Sequence, residues 1–165
     1  APAMELYGMS FPYNEQREPD SQARIMSDPE YHFELIYDED RFVGEVLSWE
    51  NADFIYVEHF CMLPDMRGRG CGAHALELLR ARGKTIILEI DPPVDDISRR
   101  RKGFYERNGF AANDYDYTHL PYHRGCKGHN KREQAHRGLQ RQGRQGYKGY
   151  EDSAPRRILR RQHRR

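Results

Sequence analysis

The spacing of apolar and polar residues changes several times along the chain, and each change predicts a different element. From residue 31 to residue 49, aromatic or aliphatic residues alternate with polar ones on both sides of Asp38-Glu39-Asp40. This pattern predicts an antiparallel hairpin with a polar turn. Before the hairpin, the short apolar run from Met4 to Met9 predicts an edge strand, and the polar stretch from Phe11 to Ser27 predicts a partly helical segment.

Two β-rich runs follow the hairpin, with a helical pattern between them. Residues 54–63 are nearly continuous in apolar and aromatic residues, which predicts a central strand. Apolar positions recur at three and four residues over 73–79, and a second β-rich run covers 85–90. Asp95-Asp96 can then cap a helix that ends near Asn108. Strand, helix, strand and helix in this order indicate an α/β fold.

A glycine-rich, basic loop connects the central strand to the first of these helices, and its sequence is Arg67-Gly68-Arg69-Gly70-Cys71-Gly72. Glycines let backbone N–H groups approach a ligand closely, and the first turn of a helix leaves its N–H groups unpaired. Because two arginines add full positive charges, a diphosphate is the natural ligand. A turn followed by a helix N-cap is the structural alternative.

Two segments resemble the signature motifs of the GNAT superfamily of N-acetyltransferases. The loop from Arg67 to Gly72 resembles the acetyl-CoA loop of that superfamily, which reads Arg or Gln, two variable residues, Gly, one variable residue, then Gly or Ala. The segment from Phe104 to Phe110 resembles a second signature, which reads aromatic-Tyr-Glu, two residues, then Gly-Phe. The resemblance covers about residues 4–123. It implies a mixed, mostly antiparallel central sheet flanked by helices, and direct acetyl transfer from acetyl-CoA to a primary amine without a metal.

The resemblance also assigns roles to individual residues. It makes Tyr105 the general acid that serves the departing CoA sulfur, and Glu58 the general base. The family's central strand carries a bulge, so a one-residue shift in register would make His59 the base instead, and a water chain to solvent is a third route. The residues expected to bind acetyl-CoA are Cys61, Met62, Leu63, Arg67, Gly68, Arg69, Gly70, Cys71, Gly72, Ala73 and Ser98. Ser98 stands where many members of the family carry Asn.

Charge divides the chain into two parts. Residues 1–125 hold 14 Lys and Arg against 23 Asp and Glu, whereas residues 126–165 hold 13 against 3. We therefore expect an acetyltransferase-like domain over residues 1–125, followed by a basic tail rich in Arg, Gln and Gly that is disordered or atypical. The run from Phe110 to Tyr117 predicts one more strand. We find no β-rich segment after Gly125, so the final strand that the family usually carries is expected to be missing.

The same charge pattern suggests partners. An acidic body favours a cationic acceptor, such as a polyamine, an aminoglycoside or a lysine side chain of a peptide. The alternative function is a catalytically impaired CoA-binding protein, or a nucleic-acid-binding protein that uses the basic tail. An uncovered sheet edge would favour a homodimer.

Cysteine and apolar content suggest the compartment. Three cysteines without paired spacing fit the reducing cytoplasm, and since no apolar run reaches about 18 residues, we expect no membrane partner. His123, Cys126 and His129 have an even spacing of three that could hold a metal, but solvated loop residues are the simpler interpretation and we expect no metal.

Overall fold

The computed structural model describes residues 2–113, 122–123, 136–140 and 157–161, and a mixed sheet organises them. The strands are β1 (Tyr31–Asp38), β2 (Arg41–Glu50), β3 (Phe54–Met62), β4 (Thr85–Ile90), β5 (Ala111–Asn113), β6 (His136–Gln140) and β7 (Arg157–Arg161). The helices are α1 (Pro2–Ser10), α2 (Pro19–Ile25), α3 (Cys71–Arg80) and α4 (Asp96–Arg107), with short 3-10 turns at Tyr13–Glu15 and Pro64–Met66.

The strand order is β5-β6-β4-β3-β2-β1-β7, and β3 and β4 are the parallel pair among otherwise antiparallel neighbours. The predicted α/β fold, with a mostly antiparallel sheet flanked by helices, is confirmed. The predicted hairpin is confirmed as β1 and β2, and the helical expectation for the polar stretch after residue 11 is met by α2.

The first helix corrects one prediction. The segment from Met4 to Met9 lies within α1 and is not an edge strand. The buried residues of this helix are Ala3, Leu6 and Tyr7, whose spacing of three and four puts them on one helical face. That face packs on the sheet beside Phe33 of β1, so burial by the sheet decides between helix and strand for this short segment.

Helices cover both faces of the sheet. On β2, the successive residues Val46 and Leu47 point to opposite faces and are 0% and 1% exposed. Val46 belongs to the core cluster with Leu76 and Leu79 of α3, whereas Leu47 belongs to the cluster with α1. The sheet is therefore the middle layer of three.

Two strands lie where the sequence indicates none. β6 pairs with β4 and β5, and β7 pairs with β1, so the expectation that no strand follows residue 125 is wrong. Strand pairing uses backbone N–H and C=O groups, which every residue except proline supplies, and β-propensity depends strongly on tertiary context. A polar, arginine-rich sequence can thus form a strand at the edge of the sheet, as β7 does, or inside it, as β6 does.

Other predictions for this end of the chain fall partly outside the described residues. The strand predicted from Phe110 to Tyr117 is present as β5, and residues 114–117 lie outside the described ranges. The domain boundary after residue 125 and the disorder of the tail stay predictions.

A network of ion pairs joins the end of α3 to the hairpin. Arg82 Nη2 donates to both carboxylate oxygens of Glu34 at 2.7 Å, and its Nη1 donates to Glu50 Oε2 at 2.7 Å. Lys84 Nζ lies 2.9 Å from Glu50 Oε1. Burial acts to raise the pKa of Glu50, but Lys84 and Arg82 outweigh it and lower the pKa. Because the Glu34 side chain is 2% exposed, its charge depends on Arg82 for compensation.

Replacing Arg82 should therefore remove the two-oxygen ion pair from a buried carboxylate. We expect Arg82→Met to lower the free energy of unfolding by about 3 kcal/mol, measured by urea denaturation. Arg41→Met is the matched control, since Arg41 pairs with Asp65 and both side chains are more than half exposed; it should change stability by less than about 0.5 kcal/mol. Equal losses in the two variants would contradict the dependence of Glu34 on Arg82.

Candidate active site

A cleft of about 960 Å³ opens where β3 and β4 separate. The two strands pair in parallel from Phe54–Thr85 to Val57–Leu88, and beyond that point β3 continues to Met62 along a different course from β4. The end of α1, the distal half of β3, the glycine-rich loop, the end of β4 and one face of α4 line the cleft. The gap in the sheet therefore brings most of the predicted site residues around one space.

A bulge in β3 marks the beginning of this gap. Leu47 of β2 pairs with His59, but the next residue, Ser48, pairs with Val57, so Glu58 is the additional residue. A bulge bends its strand and increases the local twist. The bulge that the resemblance implied is therefore present: Glu58 occupies it, and both Glu58 and His59 line the cleft, so the choice of base stays a prediction.

Beyond the bulge, alternation of the backbone decides which groups face the cleft. The N–H of Leu63 donates to Val43 O at 2.9 Å, toward β2. In an antiparallel pair, the N–H groups of successive residues point alternately toward and away from the partner strand. The N–H groups of Phe60 and Met62 therefore point away from β2 and toward the gap. Arg67 Nε donates to Met62 O at 3.3 Å and links this edge to the glycine-rich loop.

The loop before α3 adopts backbone conformations that favour glycine. Gly68 has φ +75° and Gly70 has φ +80°, and Gly70 is the N-cap residue of α3. A Cβ atom at Gly68 would meet nothing within 4 Å, so the space above the loop is open. Five residues of the loop and the first helical turn line the cleft: Arg67, Gly68, Gly70, Gly72 and Ala73.

Tyr105 reaches the cleft from α4. Its ring packs edge-on against Phe104 and Phe110, with centroid distances of 5.2 and 5.6 Å. Burial raises the pKa of Tyr105 to about 12, against the opposing charge of Arg101. The phenol therefore keeps its proton at neutral pH and is a hydrogen-bond donor in the cleft.

This combination of fold and cleft agrees with comparisons to known proteins. The sequence model of the acetyltransferase (GNAT) domain matches residues 29–112, about half of the chain. The chain belongs to this family. YjbC of Bacillus subtilis (strain 168), which is named as an acetyltransferase, is 32% identical over 78 residues, covering 46% of this chain and 41% of YjbC. The match thus spans less than half the length of that curated relative.

Solved structures give the same result at the level of the fold. A GNAT-family protein of Bacteroides thetaiotaomicron is 33% identical, with a TM-score of 0.72 over 83% of this chain and 77% of that one. Arabidopsis thaliana Naa50, in complex with the bisubstrate analogue CoA-Ac-MVNAL, is 18% identical, with a TM-score of 0.59 over 83% and 88%. An aminoglycoside 6'-N-acetyltransferase complexed with coenzyme A is 14% identical, with a TM-score of 0.55 over 84% and 87%. The last two show similarity of fold alone.

Glu58 of this GNAT chain is held from two sides. Arg17 forms an ion pair with its Oε1, and the Tyr122 hydroxyl donates to the same oxygen at 2.8 Å. The Glu58 side chain is 5% exposed. Burial acts to raise its pKa, but His59, Arg17 and Tyr122 together outweigh burial and lower it, so the group is a carboxylate at neutral pH. Sequence analysis missed Arg17 and Tyr122, because neither lies in a motif and their proximity to Glu58 is purely tertiary.

His59 is packed as part of the core around α1. Its ring meets those of Tyr7 and Phe11 edge-on, at 5.0 and 4.6 Å. Its Nε2 donates to Glu15 O at 2.9 Å, and its Nδ1 lies 3.8 Å from Glu58 Oε2. These contacts fix the ring, so His59 supports the wall of the cleft.

Four of the predicted acetyl-CoA contacts do not line the cleft: Leu63, which packs against the core cluster that contains Met66 and Ala75, and three others. Cys71 is 1% exposed and packs with Met66 and Ala75 in the core, so it can meet a ligand only through its backbone. Arg69 is exposed at the loop surface. Ser98 forms a capping box with Asp95, whose side chain accepts from Ser98 N at 2.7 Å while Asp95 N donates to Ser98 Oγ at 3.0 Å. The structure uses the Ser98 hydroxyl to start α4, and its contact with CoA stays a prediction.

The proposed metal pattern is only partly described. His123 Nε2 donates to Tyr13 O at 2.9 Å, and its Nδ1 lies 3.3 Å from Glu18 Oε1. Cys126 and His129 lie outside the described residues. Within the described ranges, no group of three His, Cys, Asp or Glu side chains could hold a metal ion, and no helix has the length and apolar content needed to cross a membrane.

A buried carboxyl group lies beneath the cleft. Glu45 is 0% exposed, and Cys61, which lines the cleft, donates its thiol to Glu45 Oε1 at 3.6 Å. Burial raises the pKa of Glu45 to about 8, while the Cys61 hydrogen bond opposes the increase. Burial and the nearby Glu45 also raise the pKa of Cys61 to about 12, so neither group is readily ionised at neutral pH.

The raised pKa of Glu45 predicts a loss of stability with increasing pH. The unfolded chain releases this proton near the ordinary value of 4.5 and the folded chain only near 8, so the folded state binds more protons between these values. Stability from this group should fall as pH rises through that window. We expect Glu45→Gln to reduce the change in the free energy of unfolding between about pH 5 and about pH 8, measured by urea denaturation. The exposed control Glu106→Gln should keep the wild-type slope; an unchanged slope in Glu45→Gln would refute the assignment.

Proposed function

We propose that this protein transfers the acetyl group of acetyl-CoA directly to a primary amine. The observation that carries the proposal is the cleft between β3 and β4, which brings the glycine-rich loop, Tyr105 and Glu58 to one space. GNAT neighbours of the same fold are solved with a CoA-containing analogue or with coenzyme A, which supports acetyl-CoA as the donor.

The residues present fit an acyl-CoA ligand at two places. The N–H groups at the start of α3, with Arg67 beside them, suit the diphosphate because the helix N-terminus and the arginine both favour an anion. The cleft-facing N–H groups of Phe60 and Met62 suit the pantetheine arm, which carries amide groups that can pair with a strand edge. Leu63 turns its N–H toward β2, so we propose Met62 and Phe60 as the backbone donors on this edge.

The chemistry requires one proton to leave the amine and the leaving thiolate to be stabilised. A carbon–nitrogen bond forms as the carbon–sulfur bond of the thioester breaks. Glu58 is the proposed acceptor of the nitrogen proton. Tyr105 is the proposed donor to the sulfur, and because its pKa of about 12 exceeds the roughly 8.5 of an ordinary thiol, it stabilises the leaving thiolate mainly by hydrogen bonding. The N–H groups of β3 near the bulge would polarise the thioester carbonyl.

The charges around the cleft indicate which end takes the acceptor. Arg67 and Arg107 lie on the loop and α4 sides, where the lining residues Glu89 and Asp91 also lie and Asp91 pairs with Arg101 at 3.0 Å. Glu15 and Glu58 lie toward the 3-10 turn that follows α1. We propose that a cationic amine enters from this side. The cytoplasmic location, a homodimer and nucleic-acid contact through the basic tail remain predictions.

Calorimetric titration with acetyl-CoA tests the donor site. We expect saturable one-to-one binding, with no comparable binding of ATP, which controls for general attraction of phosphates to the basic residues. Gly70→Val should weaken acetyl-CoA binding by at least about tenfold, because a β-branched residue does not tolerate the positive φ at this position. Failure of the folded wild-type protein to bind acetyl-CoA would rule out the proposed donor.

Loss of the Tyr105 hydroxyl tests the catalytic assignment. Tyr105→Phe keeps the ring packing, so acetyl-CoA affinity should stay within about twofold while the rate of acetyl transfer falls by about a hundredfold. The rate is measured as thiol release with a panel of polyamine, aminoglycoside and lysine-peptide acceptors. A variant as fast as the wild type would eliminate Tyr105 as the acid.

A further inference from the structure

The surroundings of Glu58 show more organisation than an exposed general base would require. Its two carboxylate oxygens have different partners: Oε1 receives both the Arg17 guanidinium and the Tyr122 hydroxyl. Oε2 is shielded from water and faces His59 Nδ1 at 3.8 Å, which is too long for a hydrogen bond. The carboxylate is thus fixed by one oxygen while the other is left for a further donor.

The two partners of Oε1 also support each other. The Arg17 guanidinium lies over the Tyr122 ring, with its central carbon 4.9 Å from the centroid. The backbone N–H of Arg17 donates to the Tyr7 hydroxyl at 2.9 Å, which anchors this loop residue to α1. The Arg17 side chain is 17% exposed. A cation placed on an aromatic face in a poorly solvated region is held more firmly than a surface pair.

The segment that carries Tyr122 is anchored as well. The neighbouring residue His123 is 8% exposed, stacks on Tyr13 with a centroid distance of 4.3 Å and bonds to the backbone oxygen of Tyr13. Arg17 and Tyr122 therefore approach Glu58 from two chain segments, 13–18 and 122–123, that are joined to each other.

We propose that Arg17 and Tyr122 are positioning residues, which hold Oε1 of Glu58 so that Oε2 is presented to the amine of the acceptor. This inference rests on the proposed function, in which Glu58 takes the proton. The nitrogen–hydrogen bond of the acceptor breaks and an oxygen–hydrogen bond forms at Oε2, which leaves the electron pair on nitrogen for attack on the thioester carbon. Since Glu58 lines the cleft, the acceptor would reach Oε2 from that side.

Arg17 and Tyr122 together form a clamp on Oε1, and this clamp sets the protonation behaviour of Glu58. The charged or titratable groups around Glu58 are Arg17 and Tyr122 at Oε1, His59 beside Oε2, and Tyr7 and Tyr31 on the face of α1 and β1. Among them Arg17 supplies the fixed positive charge. Removing that charge from a buried carboxylate should make the carboxylate easier to protonate.

Titration of the Glu58 side-chain carboxyl by carbon NMR tests the clamp without any need for turnover. In Arg17→Met, the midpoint should rise by about one pH unit or more relative to the wild type. Arg24→Met is the matched control, since it removes the same charge from an exposed position of α2, and it should leave the midpoint unchanged. The clamp is refuted if Arg17→Met and Arg24→Met give the same midpoint.

A second variant covers the case in which Arg17→Met fails to fold. Tyr122→Phe keeps the ring beneath Arg17 and removes only the hydroxyl bond to Oε1, so the Glu58 midpoint should rise by a smaller amount than in Arg17→Met. In acetyl-transfer assays the acid limb of the kcat/KM profile should move by the same amount, with acetyl-CoA affinity unchanged. If the Glu58 carboxyl of Tyr122→Phe titrates with the wild-type midpoint, Tyr122 does not belong to the clamp.

Glu58→Gln separates this inference from the proposed function. If this variant transfers acetyl groups as fast as the wild type, Glu58 is not the base and the proposed proton route is wrong. The NMR midpoints would still show whether Arg17 and Tyr122 hold the carboxylate.

Discussion

The rest of the structure depends on one interruption of backbone pairing, the point at which β3 leaves β4. Parallel pairing ends at Val57 and Leu88, and the bulge at Glu58 comes directly afterwards. Buried N–H and C=O groups need hydrogen-bond partners. Where a strand turns away from its neighbour within a sheet, the backbone groups on that edge are left to pair with another molecule that carries polar groups. The cleft, the edge that suits a pantetheine arm and the placement of Glu58 all follow from this bulge.

Three buried or half-buried carboxyl groups near the sheet are accommodated in three physical ways. Glu34 is compensated by Arg82 in a two-oxygen ion pair. Glu58 is a carboxylate held through one oxygen by Arg17 and Tyr122. Glu45 is kept neutral by burial next to the Cys61 thiol. Since the free energy of burying a charge is high, each group needs either a partner or a proton, and the choice separates structural roles from the proposed catalytic one.

The predicted elements that the structure confirms share a strong local signal. The hairpin had two β-rich runs on either side of a polar turn, and β4 was bounded by proline and glycine at its ends. The loop before α3 carried glycines whose positive φ angles the structure displays. Where the signal was short or absent, prediction was wrong: α1 was taken for a strand, and β6 and β7 were not recognised because their pairing depends on backbone groups supplied by distant strands.

The sequence by itself determined the family, the order of the main elements and the positions of Tyr105 and the glycine-rich loop, because these depend on residue spacing within one or two turns of chain. Only the tertiary structure decided that Glu58 occupies the bulge, that Ser98 completes the capping box of α4 with Asp95, and that Arg17 and Tyr122 meet at one carboxylate oxygen. Arg17 is separated from Glu58 by 41 positions in the sequence, and Tyr122 is separated from it by 64. Such contacts are set by the packing of α1 and the loops onto the sheet, and no local pattern of residues encodes the distance between them.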